Sequence, residues 1–312
     1  MFKRIVACFA TLVVVLGMLA LLNLAEPIMT DVQANPDPPR IETYRVTPQR
    51  ELTLHIYEPA NASETELHAK TNRPAIVFFF GGGWLSGGPG HFAGQSRALA
   101  ERGIVAICPA YRTHDPDGTT PIDALVDALH AVAWVRDHAE SLGINPTRIA
   151  VGGGSAGGHL AAACATVPDA KIAELTPELP ASPRPDALVL FNPVLDNGPA
   201  TAGREAGYGH DRIGDDYVWF SPAHNVRPGL PPTLIMLGTA DHLVPVAVVT
   251  EFRDAMVANG DTCDVELYRG QAHGFFNRHP GKEAMYDSTL KRSIYFLREH
   301  GWIKGSANTR PD

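Results

Sequence analysis

Residues 151–158, Val-Gly-Gly-Gly-Ser-Ala-Gly-Gly, constrain this chain more than any other stretch. Residues 148–151 read as a short buried strand, and residues 159–165 as the start of a helix of small side chains. Between them stands Ser155 in a Gly-x-Ser-x-Gly setting. A serine on so sharp a strand-to-helix turn takes up a strained backbone, and its neighbours must lack side chains that would clash. The turn holds the hydroxyl out at the carboxyl end of a sheet, beside a helix N-terminus whose free amides favour negative charge. A glycine-rich turn that only packs a helix on a sheet would look the same over five residues, so the rest of the chain has to discriminate.

The 312 residues are enough for one large α/β domain. Residues 75–80 form a continuous apolar run between Pro74 and Gly81, the pattern of a strand buried on both faces of a parallel sheet. Residues 52–57, 104–108, 187–191, 233–237 and 265–268 read as further strands. Thr120-Pro-Ile-Asp opens a helix with a cap, a proline in its first turn and an acid to follow. Helices are also expected from Pro245 to about Asn259-Gly260, and over residues 284–300. Residues 61–72 read as a surface loop, and residues 196–229 as a long irregular segment. Strands alternating with helices predict an α/β fold: a mostly parallel sheet with helices on both faces, whose ligands bind at the carboxyl ends of strands.

The first residues are different in kind. Lys3 and Arg4 precede an apolar run over residues 5–25, and Val32-Gln-Ala34 has the small-x-small form of a cleavage site. This layout predicts an export signal over residues 1–34, with a retained membrane anchor over residues 5–25 as the alternative. A proline-rich linker is expected over residues 35–43, with the catalytic domain over residues 44–305. The net charge of −8, with no basic stripe, speaks against nucleic acid as a partner. A membrane is a partner only if the first segment is retained. The four cysteines show no paired or metal-binding spacing, and Cys108 and Cys164 read as small core residues.

A serine hydroxyl becomes a good nucleophile only when a base takes its proton and a third group orients that base. Downstream of Ser155, Gly238-Thr-Ala-Asp241 follows one strand and Gln271-Ala-His273-Gly follows the last. Asp241 is the expected acid, with Asp196 as its rival, and His273 the expected base. A capping aspartate and a loop histidine are the plain alternatives for each alone. The order Ser155, Asp241, His273, each just past a strand, makes the set more than its parts.

On these residues the chain resembles the α/β-hydrolases of the esterase/lipase class, over about residues 74–302. It is most similar to hormone-sensitive-lipase-like carboxylesterases and to exported acetyl and acetyl-xylan esterases. The matching segments are Phe80-Gly-Gly-Gly-Trp84, Tyr111-Arg112, Gly153-Gly-Ser-Ala-Gly-Gly-His-Leu160, Gly238-Thr-Ala-Asp-His-Leu-Val-Pro245 and Gln271-Ala-His-Gly-Phe-Phe276. The resemblance implies an α/β-hydrolase fold with a short cap segment, and a serine esterase that needs no metal or cofactor. It also implies an oxyanion hole made by the amides of Gly82, Gly83 and Ala156. The family's glycine loop usually begins with histidine, where this chain has Phe80. Phenylalanine cannot hydrogen-bond, so the loop must be held another way, ring packing being one.

Specificity is faintly written. Tyr208, His210, Asp211, Arg212, Asp215, Asp216, Tyr217 and Trp219 belong to the cap segment, which suits a sugar or is simply a solvated loop. Trp84, directly after the glycines, is expected to wall a small acyl pocket, or to pack beneath the loop. The expectation is a hydrolase of short acyl esters, with a small-molecule or carbohydrate ester as substrate. An arylformamidase-like amide hydrolase, a prolyl-oligopeptidase-like peptidase and a non-enzymatic adhesion module are the competing readings. The peptidase would need a large N-terminal propeller, and the adhesion module would typically have lost one of the three residues.

Overall fold

The computed structural model describes residues 38–59, 72–203 and 205–303. The expected export signal, and residues 61–71 of the expected surface loop, lie outside them. Eight strands form one sheet in the order β1-β2-β4-β3-β5-β6-β7-β8. They are β1 (Arg40–Val46), β2 (Glu51–Tyr57), β3 (Arg73–Phe79), β4 (Val105–Pro109), β5 (Ile144–Gly154), β6 (Ala187–Phe191), β7 (Thr233–Gly238) and β8 (Cys263–Tyr268). β1 pairs antiparallel with β2 and β2 antiparallel with β4, while all the other neighbours are parallel.

The parallel strands are buried on both faces, and their side chains divide by period two. Ala75, Val77 and Phe79 enter one core and Ile76 and Phe78 the other. Leu188 and Leu190 part in the same way from Ala187, Val189 and Phe191. The first core is completed by helices α2 (Pro121–Asp137), α3 (Ala156–Thr166) and α5 (Val246–Ala258). The second is completed by α1 (Ala93–Ala100) and α6 (Ala284–Glu299). A short helix, α4 (Asp169–Leu175), follows α3. The cap of α2 is a reciprocal box: the Thr120 hydroxyl accepts from the Asp123 amide, and the Asp123 carboxylate accepts from the Thr120 amide. Cys108, Cys164 and Cys263 are buried and free, and burial pushes each thiol up to about 12.

One boundary needs correction. β1 begins at Arg40, so residues 40–43 of the expected linker belong to the sheet. Of β1 only Tyr44 is buried, its hydroxyl donating to the Ala110 carbonyl at 2.7 Å. An edge strand with one buried side chain carries too little apolar alternation to announce itself.

Strand order reverses around β3. The chain runs from β3 outward to β4, then returns to place β5 on the other side of β3. Such a switch point opens a crevice beyond the carboxyl ends of the two central strands. Here those ends carry the 81–83 glycines and Ser155.

Candidate active site

Ser155 has φ 56° and ψ −119°, outside the comfortable regions for a residue with a side chain. The strain is held from both sides. The Ser155 amide donates to the Phe191 carbonyl at 2.9 Å, and the Ser155 carbonyl accepts from the His159 amide at 3.0 Å. The flanking glycines are a matter of space. A Cβ on Gly153 would lie 2.5 Å from the Gly157 carbonyl, and one on Gly157 would lie 2.1 Å from the Phe79 carbonyl. Helix α3 can therefore seat on β3 and β5 only with hydrogens at these positions.

The structure brings the three expected residues together. His273 Nε2 lies 2.9 Å from Ser155 Oγ, and His273 Nδ1 lies 2.8 Å from Asp241 Oδ2. The second Asp241 oxygen accepts the amides of Leu243 at 2.8 Å and Val244 at 2.9 Å. Burial alone would push the Asp241 carboxyl up, but the His273 bond and these amides outweigh it and hold the group below its usual range. A carboxylate on Nδ1 fixes the imidazole proton there and leaves Nε2 as the acceptor for the serine proton. Asp196, the rival acid, is turned elsewhere: its Oδ1 lies 2.9 Å from His224 Nε2 and accepts the Gly198 amide at 2.8 Å.

Beside Ser155, no described hydrogen bond uses the amides of Gly82, Gly83 or Ala156. Gly82 (φ 121°) and Gly83 (φ 66°) stand in backbone regions open chiefly to glycine. A Cβ on Gly82 would meet the Ser86 carbonyl at 2.0 Å. Gly81 abuts the serine turn, since a Cβ there would lie 3.5 Å from the Ser155 Cβ. Free amides fixed next to a nucleophile can receive a negative oxygen without rearranging.

Phe80 is held by stacking, its ring 3.8 Å from that of Tyr111 and nearly parallel to it. The Tyr111 hydroxyl donates to the Phe80 carbonyl at 2.7 Å. Arg112 in turn clasps the buried Asp127 carboxylate of α2 through Nε at 2.8 Å and Nη2 at 2.9 Å. The Tyr111-Arg112 pair thus ties the glycine loop and β4 to the helical layer.

Trp84 is not where the acyl-wall reading puts it. The indole is 1% exposed and packs beneath the loop against His159, Phe220 and Tyr208, with the Arg212 guanidinium over its ring. The loop turns on Trp84 itself, at φ 59°, and the buried indole does not line the cavity over Ser155. The cavity over Ser155, about 230 Å³, is walled instead by Tyr208, Leu243, Phe276, His91, Asn192 and Asn277, with the glycines and His273. Of the cap residues named from sequence, Tyr208 alone lines it. Arg212 latches the cap, donating to the Gly83 carbonyl at 2.6 Å. Tyr208 and Leu243 also border a smaller neighbouring cavity whose apolar end is Val194, Leu195, Val244 and Val248.

Sequence reasoning passed over Asn192. It is fully buried just past β6 with φ 35°; its Oδ1 accepts the Gly274 amide at 3.1 Å, and its Nδ2 lies 3.4 Å from His273 Nε2. An asparagine directly before a proline at a strand end is a faint signal. Among the described residues no three His, Cys, Asp or Glu side chains gather as a metal-binding group.

A parallel sheet with a strained serine at its switch point and an Asp–His pair on the last strand-end loops defines a class. The chain belongs to the α/β-hydrolase fold family, whose model matches residues 76–277. Among solved structures it is similar to an esterase of Thermogutta terrifontis, determined with propionate bound. The TM-score is 0.77 and the identity 38%, covering 86% of this chain and 97% of that one. Among curated proteins it is similar to an acetylxylan esterase of Xylanibacter ruminicola, 30% identical over 75% of this chain and 48% of that protein. It is also similar to the carboxylic ester hydrolase LipN of Mycobacterium tuberculosis, 30% identical over 74% of this chain and 62% of that protein. The chain spans about half the length of the curated relatives it matches.

Proposed function

We propose that the protein is a serine carboxylic ester hydrolase that cleaves short acyl esters through an acyl-enzyme. The observation that carries this reading is the unbroken line from Asp241 through His273 to Ser155 Oγ, ending beside three unused amides. His273 Nε2 takes the serine proton as Oγ adds to the ester carbonyl. The carbonyl oxygen gains the negative charge and is received by the amides of Gly82, Gly83 and Ala156. Collapse breaks the bond to the alcohol oxygen, which leaves with the proton from His273. Water then attacks the acyl-serine, giving one proton to His273, and the carboxylic acid is released as Oγ recovers that proton, ionising afterwards in solvent. Asp241 keeps the imidazole in place and stabilises its charged form.

The short-acyl preference is supported by the small cavity over Ser155 and by related esterase structures solved with propionate and with butyrate. Acetyl groups on carbohydrate are the substrate class favoured by the likeness to an acetylxylan esterase. Export is supported by Lys3, Arg4, the apolar run and the Val32-Gln-Ala34 site, and the mature chain is expected to begin near Asn35. N-terminal sequencing of the exported form tests that point, and a full-length membrane-bound product would replace it with an anchor.

The test of the reaction itself is Ser155→Ala, assayed with p-nitrophenyl acetate, an acetylated xylo-oligosaccharide and an N-formyl amide. Ester turnover is expected to fall by about 10⁴ to 10⁶ in kcat with the fold unchanged. Near-normal turnover by a folded Ser155→Ala protein would overturn the mechanism. An amide cleaved faster than the esters would reassign the substrate.

A further inference from the structure

The glycine loop lacks its leading histidine, yet an imidazole reaches it from elsewhere in the chain. The Gly81 amide donates to His91 Nδ1 at 3.0 Å. His91 Nε2 stands 2.6 Å from Asn277 Oδ1, a carbonyl-type acceptor. The two bonds define the ring's state: Nδ1 must be unprotonated to accept, and Nε2 must carry the hydrogen to donate. The ring is wedged between Phe92 and Phe276, at 5.1 and 5.7 Å. Burial lowers the pKa of His91, against the opposing pull of the Asn277 bond, which favours the neutral form that can accept.

Two consequences follow from where these bonds go. The first is which amides remain. Gly81, Gly82 and Gly83 all line the cavity over Ser155, and His91 takes up the amide of the first while those of the other two make no described hydrogen bond. The second is mechanical. Asn277 lies four residues past His273 on the same strand-end loop, and its amide closes that loop onto the Gly274 carbonyl at 3.0 Å. His91 therefore joins the loop that carries the oxyanion donors to the loop that carries the base. Phe80 and Tyr111 anchor the loop at its start through stacking and the Tyr111 hydroxyl's bond to the Phe80 carbonyl, and the His91 bond holds the next residue, Gly81, from the other side of the site.

We propose that His91, locked by Asn277, is the positioning residue of the oxyanion hole in this protein, setting the distance between the Gly82 and Gly83 amides and the Ser155–His273 pair. His91 also borders the cavity over Ser155 but makes no described hydrogen bond to the serine or the base, and the role proposed for it runs through Gly81 and Asn277. The inference rests on the acyl-transfer reading above.

The test compares His91→Phe, which keeps a flat ring between Phe92 and Phe276 but has no acceptor, with His91→Asn, whose Oδ1 occupies nearly the place of Nδ1. A misplaced donor weakens the transition state more than the ground state. His91→Phe is therefore expected to lose kcat by roughly 10- to 100-fold with KM for p-nitrophenyl acetate almost unchanged, a lost oxyanion donor setting the upper scale. The inhibition constant of butylboronic acid, whose serine adduct places an oxygen in the hole, should rise by the same factor. His91→Asn should regain most of the loss. Asn277→Leu, which removes the lock but leaves His91, provides an independent arm and should lower kcat with KM held. Normal kcat in either His91→Phe or Asn277→Leu overturns the inference. So does a loss that appears equally in His91→Asn, or one carried by KM. Ser155→Ala is run alongside: an active Ser155→Ala protein brings down the serine mechanism, whereas an inactive one beside a normal His91→Phe brings down this inference alone.

Discussion

Asp241 Oδ2 stands 2.8 Å from His273 Nδ1, and the other Asp241 oxygen is gripped by two backbone amides. The carboxylate cannot swing away, so it imposes one tautomer on the imidazole. Asp241→Asn offers an amide that can donate toward Nδ1 and so favour the wrong tautomer. The variant should stay folded and lose about 10⁴ in kcat. Asp196→Asn should be mild, because Asp196 meets His224 and not His273. Steady-state kinetics on the two variants decides between them, and the reverse ranking would unseat Asp241.

Gly157 is fixed by space. A Cβ there would stand 2.1 Å from the Phe79 carbonyl and 2.3 Å from the Phe80 carbonyl, both backbone atoms that cannot step aside singly. Gly157→Ala must push α3 off the end of β3, where the glycine loop begins. Overpacking of this kind costs about 1–3 kcal/mol and occasionally more. Urea unfolding should show at least that loss, together with reduced turnover. An unchanged midpoint would mean that the helix seats less tightly than these distances say.

Trp84→Ala tests where the indole lies. Removing a buried tryptophan costs about 3–5 kcal/mol. The chain-length optimum for p-nitrophenyl esters, expected at acetate to butyrate, should not move, because the cavity wall is Tyr208, Leu243 and Phe276. A shift of the optimum to longer chains in a stable Trp84→Ala protein would put the indole back at the acyl pocket.

The acid limb of stability should carry the mark of His159. Burial lowers this imidazole from 6.5 to about 3, against the pull of its bond to the Phe220 carbonyl. Between those values the unfolded chain binds a proton that the folded chain refuses, so stability falls as pH falls. The slope is about 1.4 kcal/mol per pH unit for each such group. Burial lowers His130 in the same sense, to about 4. His159→Gln keeps a donor for the Phe220 carbonyl and removes the titration. Its stability, from urea unfolding between pH 6.5 and about 4, should fall less steeply than that of the wild type by roughly the slope of one group. Parallel curves would contradict the burial of a neutral ring.

What the sequence determined by itself was local. The run over residues 75–79 can hardly be anything but a strand buried on both faces, and Thr120 with Asp123 writes a helix start whatever surrounds it. The serine turn is equally local, since the glycines that permit it lie within two residues of Ser155. Asp241 ranked above Asp196 for its place three residues past the Gly238 strand end and just before the Pro245 helix start, since strand ends deliver their next residues to the same crevice. Strand β1 escaped notice because one buried tyrosine leaves no period to read. Tertiary structure alone decided which way Trp84 turned: the ring is buried under the loop, at a positive φ after three glycines, and no neighbour in the chain predicts it. It alone picked His91 out of 13 histidines, for a bond to Gly81 ten residues back and another to Asn277 that is 186 residues away. Strands and turns leave a trace among near neighbours, because burial and backbone geometry impose an apolar run, a period or a glycine within a few residues. A hydrogen bond between two loops is a single event between distant positions, and it exists only once the sheet has set those loops side by side.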